Sequence, residues 1–271
     1  MIEPQRRHRA AAVVICASLA LPGAAPQKTA TPSTARAEPA LTADLVAANR
    51  ILAQEGIFDG FGHVSVRSDR DANRYYLSRS LAPGLVTAAD IVELDLDSRA
   101  IGSTAALYSE RFIHGEIYKA RPDVKAIVHD HSPALIPFSV SSVPLRAVSH
   151  TAGFIPDGVP IFDIRTAAGM TDMLVSNGER GRALATTLGS GAAVLMRGHG
   201  VTIVGSTLPI AVGRSIYLER NATLQAQAIA LGGSITYLDP AEARQIMASG
   251  ENGGYLRAWE LWKRKANLAA K

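Results

Sequence analysis

The sequence predicts an α/β layered domain, and three observations carry that expectation. Segments with helical spacing of apolar residues alternate with short apolar runs bounded by turn residues, the pattern of helices laid over a sheet. Beyond the first 37 residues no heptad, internal repeat or low-complexity tract interrupts that alternation. At 271 residues, 47% hydrophobic and 19% charged, the chain has enough apolar material to bury a full core.

Asp44 to Glu55 reads as a helix, with Leu45, Val46, Ala48, Ile51 and Leu52 near helical spacing, Thr42 as N-cap and Gly56 as its stop. His63–Arg67 and Tyr75–Leu77 read as short strands around the polar turn 69–73, and Ile91 to Leu96 alternates as a strand with one wet face. Ser109 is positioned to cap a helix through Phe112, Ile113, Ile117 and Tyr118, with Pro122 just past its end. Ala126-Ile127-Val128 is a buried strand that runs into His129, and Ser132-Pro133 opens another helix. After an irregular stretch from Gly153 to Pro160, helices are expected at 166–176 and 178–188. Ala192 to Met196 is a strand, broken at Arg197-Gly198-His199-Gly200 and resumed at Val201 to Val204. A long helix runs from Thr207 to about Leu231, and a tail carrying Trp259 and Trp262 is expected to pack on the body.

Residues 1–37 are expected to be a signal peptide and linker, and 38–271 a single domain. A basic stretch, Gln5-Arg6-Arg7-His8-Arg9, precedes an apolar run from Ala10 to Leu21 that ends at Pro22-Gly23. A stretch rich in Pro, Thr and Ala then closes on Ala35-Arg36-Ala37, a small-x-small cleavage pattern. The run is too short to cross a bilayer comfortably. It predicts a periplasmic or secreted protein with no membrane association after processing; a tethering tail is the alternative. The same segment holds five basic residues against Glu3 alone and so carries the whole formal charge of +4. The remainder is near neutral and offers no basic face to nucleic acid. Cys16, the single cysteine, lies in this segment, so a metal in the mature chain must take nitrogen and oxygen ligands.

His129-Asp130-His131 is the sharpest local feature. On a strand, positions i and i+2 share a face, so both imidazoles can converge on one divalent ion; surface and core histidines also fall at this spacing by chance. His199 stands between Gly198 and Gly200 at a strand end, where glycines let a loop aim a ligand; a tight turn with an incidental histidine is the plainer reading. Three histidine ligands would leave a coordination position open, the requirement for a catalytic site. Glu110 lies in the first turn of a helix, where a carboxylate also serves the helix dipole. His114, four residues on, reads as its structural neighbour on the same face.

Taken together, Ser109-Glu110-Arg111-Phe112, Arg121-Pro122-Asp123-Val124, Ala126 to His131 and Met196-Arg197-Gly198-His199-Gly200 resemble the class II aldolase/adducin family over roughly residues 42–232. Gly62-His63-Val64-Ser65 is similar to its Gly-Asn-x-Ser loop. The resemblance implies a three-layer α/β/α sandwich, a homotetramer with active sites at subunit interfaces, one divalent metal per subunit on His129, His131 and His199, and Glu110 as catalytic acid/base. Zinc or manganese heads the metal choices. The metal of such an enzyme polarises a carbonyl and stabilises an enolate as a carbon–carbon bond breaks, which serves aldol cleavage and decarboxylation alike.

The chain departs from the phosphate-using members where Gly62-His63, Ser78-Arg79-Ser80 and Tyr108-Ser109 replace small amide and hydroxyl groups. Gly62, His63, Arg79, Ser80, Tyr108 and Ser109 are therefore the expected substrate contacts, with Arg79 gripping a carboxylate as a bidentate fork and Tyr108 facing a flat ring. That pattern sits nearer the aromatic and pyridine carboxylate decarboxylases. His150, 19 residues after His131, is expected in a catalytic or substrate-binding role where the aldolases bring a tyrosine from a neighbouring subunit; a structural role is its alternative. The leading reading is a metal-dependent carbon–carbon lyase, decarboxylase or aldolase, acting on a small non-phosphorylated carboxylate. The rivals are a sugar-phosphate aldolase or pentulose-phosphate 4-epimerase, and a non-catalytic adducin-like interaction domain.

Overall fold

Helices cover both faces of a mixed seven-stranded sheet in the computed structural model, which describes Met1 and residues 39–269. The expected signal peptide and linker lie outside the described residues, apart from Met1. The described residues from Pro39 onward fall in one compact unit that contains the entire sheet.

The strands are β1 (His63–Arg67), β2 (Arg74–Ser78), β3 (Ile91–Asp95), β4 (Ala126–Asp130), β5 (Ile161–Phe162), β6 (Ala193–Met196) and β7 (Gly200–Gly205). Their spatial order is β3-β2-β1-β4-β7-β6-β5, and every neighbouring pair is antiparallel except β5 with β6. Side-chain alternation divides the core between the faces. Val64, Val66, Ala126 and Val128 meet α1 (Pro39–Gln54), α6 (Leu208–Leu231) and the Trp259/Trp262 segment of α7 (Pro240–Ala269). Tyr75, Leu77, Ile127, Val194 and Val204 meet α2 (Phe112–Ala120) and α5 (Gly178–Leu188) on the other face. Two short helices, α3 (Ile136–Val140) and α4 (Ile164–Ala168), complete the set.

Several expectations need correction. α1 begins at Pro39, so Thr42 lies inside it rather than capping it. Ser109 does not cap α2; it opens a 3₁₀ turn, Ser109–Arg111, that leads into the helix. The helix expected at 166–176 is only α4, which stops at Gly169 with φ +66°; the chain then runs irregularly, with Met173 at φ +66°, until Asn177 caps α5. β5 follows the irregular stretch directly and was not anticipated, because its two residues are too few to show a period. The tail is helical, and Trp259 and Trp262 are buried in the core as expected.

Candidate metal centre and active site

His63 on β1 and His129 on β4 are register partners, so both project toward the face covered by α2. His131 follows β4 by one residue. The β6–β7 hairpin brings His199 alongside: Gly198 takes φ +61°, and a Cβ on Gly200 would collide with the Asp130 carbonyl, so only glycine lets β7 approach β4 at that point. The 3₁₀ turn before α2 supplies Glu110. Ligand atoms of Glu110, His129, His131 and His199 all lie within 4.8 Å of one another.

Backbone carbonyls set the direction of two of the imidazoles. His129 Nδ1 lies 3.0 Å from the Val201 oxygen and His199 Nδ1 lies 3.1 Å from the Met173 oxygen. A carbonyl only accepts, so both Nδ1 atoms carry protons and both Nε2 lone pairs face inward. His129 Nε2 is buried without a hydrogen-bond partner. His199 Nε2 lies 3.0 Å from His131 Nε2. Glu110 accepts from the Val175 amide with Oε1 at 2.9 Å and aims Oε2 at His129 Nε2 (3.5 Å) and His199 Nε2 (3.3 Å). Converging lone pairs and a carboxylate around an orphaned buried nitrogen fit a divalent cation, and the Val201 and Met173 carbonyls and the Val175 amide hold these side chains in place.

The electrostatics agree. Burial alone would raise the Glu110 carboxyl, but the facing His129 and His199 hold it well below the usual carboxylate range, so it is ionised. Burial, with His129 and His199 nearby, brings His131 down to about 4 and keeps it neutral. Burial lowers His199 too, but the Glu110 carboxylate outweighs it and raises that group. The cluster thus recruits positive charge at the point where Glu110 meets His199.

A cavity of about 510 Å³ opens beside the cluster and is lined by Gly62, His63, Ser80, Tyr108, Ser109, Glu110, His129 and His131 among the expected site residues. Phe61, Leu81, Ala82 and Leu174 add apolar walls that sequence reasoning did not single out. Tyr108 is fixed by donating to the Leu81 carbonyl at 2.6 Å, with its ring 4.8 Å from that of His63. Among the described residues, no lysine or arginine lines this cavity.

Arg79 is the clearest departure from the expected site. Its Nε donates to Asp90 Oδ1 at 2.7 Å, and Asp90 is itself engaged through Oδ2 by the Thr87 amide and hydroxyl. Arg79 Nε is thus tied to a structural carboxylate, and the residue is not among those lining the cavity. His150 begins a short 3₁₀ turn, His150–Ala152, and lines a separate cavity with Tyr217, Met247 and Tyr255, apart from the metal cluster of its own chain. Two site contributions escaped the sequence reading altogether: the Met173 carbonyl and Val175 amide, both from the segment read as helix. The only signal there was Gly169.

Comparison with known proteins gives the same picture from outside. Residues 43–226 match the family described as Class II Aldolase and Adducin N-terminal domain. Decarboxylase tropJ of Talaromyces stipitatus is 33% identical over 239 residues, spanning 79% of this chain and 90% of that protein. The 3,4-dihydroxyphthalate decarboxylase of Arthrobacter keyseri is 29% identical over 229 residues, 78% of this chain and 87% of the relative. An L-fuculose 1-phosphate aldolase structure from Glaciozyma antarctica PI12 superposes with a TM-score of 0.69 at 26% identity, covering 84% of this chain and 89% of that one. The α/β/α sandwich, the Glu/His cluster and these relatives converge, and the chain belongs to the class II aldolase and adducin family.

Proposed function

We propose that this protein is a divalent-metal-dependent carboxy-lyase acting on a small, non-phosphorylated aromatic carboxylate. The observation that carries the reading is the cavity itself: a Glu/His₃ cluster at one end, a tyrosine, a phenylalanine and two leucines on its walls, and no lysine or arginine among its described lining residues. A phosphorylated sugar would find no cationic side chain there. The relatives named as decarboxylases support the same choice over the sugar-phosphate reading. All four Glu and His residues stand in ligand geometry, which also favours an enzyme over an adducin-like binding domain.

His129, His131 and His199 would hold the metal, with Glu110 within reach of it. When bound, the ion supplies Lewis acidity toward a substrate oxygen beside the bond that breaks. The protein's own groups do the rest. Tyr108 and Phe61 offer faces to a planar ring, and Leu81 and Leu174 exclude water. Glu110, ionised and anchored through one oxygen, is placed to take a proton from a substrate hydroxyl and return it to carbon. The carbon–carboxylate bond breaks, CO2 leaves, the electron pair stays on the substrate carbon, and the returned proton takes it up.

Zinc and manganese are the first metals to try, because the donor set is nitrogen and oxygen throughout. We further propose a homotetrameric assembly and export through the N-terminal segment, the latter on the basic–apolar–small-x-small order of residues 5–37. Sedimentation and N-terminal sequencing of the fractionated protein test these two. The function is tested by CO2 release from a panel of hydroxylated aromatic mono- and dicarboxylates, with zinc or manganese supplied. Release that is abolished by chelation and restored by metal is the expected result. Turnover of sugar phosphates with no release from any aromatic acid would overturn the reading.

A further inference from the structure

A chain of hydrogen bonds runs from the cavity wall into the core between β1 and α2. His63 Nδ1 lies 2.7 Å from His114 Nε2, His114 Nδ1 lies 2.6 Å from Ser65 Oγ, and Ser65 Oγ lies 2.8 Å from the Tyr118 hydroxyl. All four residues are buried. Each of these short contacts needs one proton and one lone pair between its two atoms, so the protons along the chain are set by its hydrogen-bond geometry.

A neutral imidazole has one N–H and one lone pair, so the polarity chosen at one end of such a chain dictates the other. Tyr118 makes the choice. Its alternative acceptor, the Lys125 carbonyl, stands at 3.4 Å, against 2.8 Å for Ser65 Oγ. With the phenol donating along the shorter contact, Ser65 would donate to His114 Nδ1 and His114 Nε2–H would donate to His63 Nδ1. His63 then carries its own proton on Nε2, the nitrogen left for the cavity that the ring lines.

We propose that the buried chain Tyr118–Ser65–His114 makes His63 a specificity-determining residue: it fixes an Nε2–H donor beside the metal ligands that receives a carboxylate the substrate retains. The retained group is the one to expect, because a hydrogen bond to the departing carboxylate is strongest before the bond breaks and would slow its loss. The preferred substrate is then an aromatic dicarboxylate, one group leaving and the other held by His63. With no cationic side chain among the described lining residues, His63 takes the role a basic residue would otherwise fill. The substrate class rests on the carboxy-lyase reading; the polarity of the chain does not. His114, Ser65 and Tyr118 act through His63 and are positioning residues.

The polarity can be read without turnover. In the full chain carrying ¹⁵N-histidine, metal-free and zinc-loaded, long-range ¹H–¹⁵N spectra assign the tautomer of each ring, with His63→Phe identifying the His63 signals. His63 and His114 both protonated on Nε2 is the expected result; His63 protonated on Nδ1 overturns the proposal. Calorimetry of the zinc-loaded protein with phthalate and its monoamide then tests selection. Phthalate is expected to bind about 10- to 100-fold tighter, the worth of one hydrogen bond to a charged group, and His63→Phe to erase the preference. Equal binding of the two by the parent protein also overturns the proposal. If the tautomer and the preference hold while no aromatic acid is decarboxylated, the carboxy-lyase reading fails and the carboxylate-binding role of His63 stands.

Discussion

Glu110 and His131 sit in the same cluster, yet their replacement should separate two functions. Glu110 is held by the Val175 amide through one oxygen and leaves the other free to move a proton in the proposed reaction, whereas His131 would serve only as a metal ligand. Glu110→Gln is expected to keep the metal on three histidines and lower kcat by about 10²- to 10⁴-fold, the span of general acid–base catalysis. His131→Ala is expected to lose the metal itself, read by elemental analysis after gel filtration. Equal metal loss in both variants would reassign Glu110 as an essential ligand. His114 supports a different prediction, on pH. Its folded value of about 3 lies below the ordinary 6.5, so between those limits the unfolded chain takes up a proton that the folded chain refuses. Stability of the metal-free protein should therefore fall as pH drops below about 6.5, by about 1.4 kcal/mol per pH unit from this group, and show no contribution from it above that pH. His114→Gln should flatten the slope of denaturation midpoint against pH by about one proton. The convergence of His129, His131 and His199 was legible beforehand, because strand period and flanking glycines are local properties and the family resemblance joins them. The pairing of Arg79 with Asp90 was not, because Asp90 is held by a turn 11 residues away that the sequence does not reveal as a carboxylate trap.

The β6–β7 hairpin and the irregular segment 169–177 together carry the part of the site that periodicity alone does not describe. Gly200 permits contact with the Asp130 carbonyl that any side chain would block. Gly200→Ala should push β7 from β4, displace His199, and cost on the order of 2–4 kcal/mol, with weakened metal binding as the companion effect. Urea titration and a metal-competition assay read the two; an unaltered midpoint would show that the hairpin tolerates the shift. The segment after α4 failed as a helix for a related reason. Its backbone is diverted, the Met173 carbonyl to His199 and the Val175 amide to Glu110, and Met173 adopts a left-handed conformation that a helix forbids. Val175 is buried, but burial alone says nothing of where the backbone bonds go. By contrast α7 shows the reliable case, since Trp259 and Trp262 at i and i+3 can only be stabilised by burial. Trp259→Ala should cost about 3–5 kcal/mol of stability and leave metal content unchanged, because α7 packs on the face of the sheet opposite α2.

The sheet places ligands from three stretches of chain, the turn before α2, the end of β4 and the β6–β7 hairpin, at one point on a single face. Order of elements and their alternation were enough to anticipate helices layered on a sheet, and the family resemblance implied cover on both sides, but strand order was not legible, since β1 and β4 become neighbours only after β2 and β3 fold outward to the edge. A metal bound at the convergence therefore ties together residues that are nearly ninety positions apart between Glu110 and His199, and it binds the folded chain far better than the unfolded one. At a free metal concentration 100-fold above Kd, mass action adds about 2.7 kcal/mol. For a domain of this size that corresponds to a rise in Tm of about 5–10 °C. We expect the metal-free protein to melt lower by that margin and to recover it on adding zinc or manganese. His131→Ala should show no recovery, because it lacks the site. Trp259→Ala should start lower yet gain the same increment as the parent, because its damage lies on the opposite face. If the metal-dependent increment disappeared in Trp259→Ala as well, the two faces would be coupled through the sheet, and the cluster could no longer be treated as a site whose affinity is independent of the helical layer behind it.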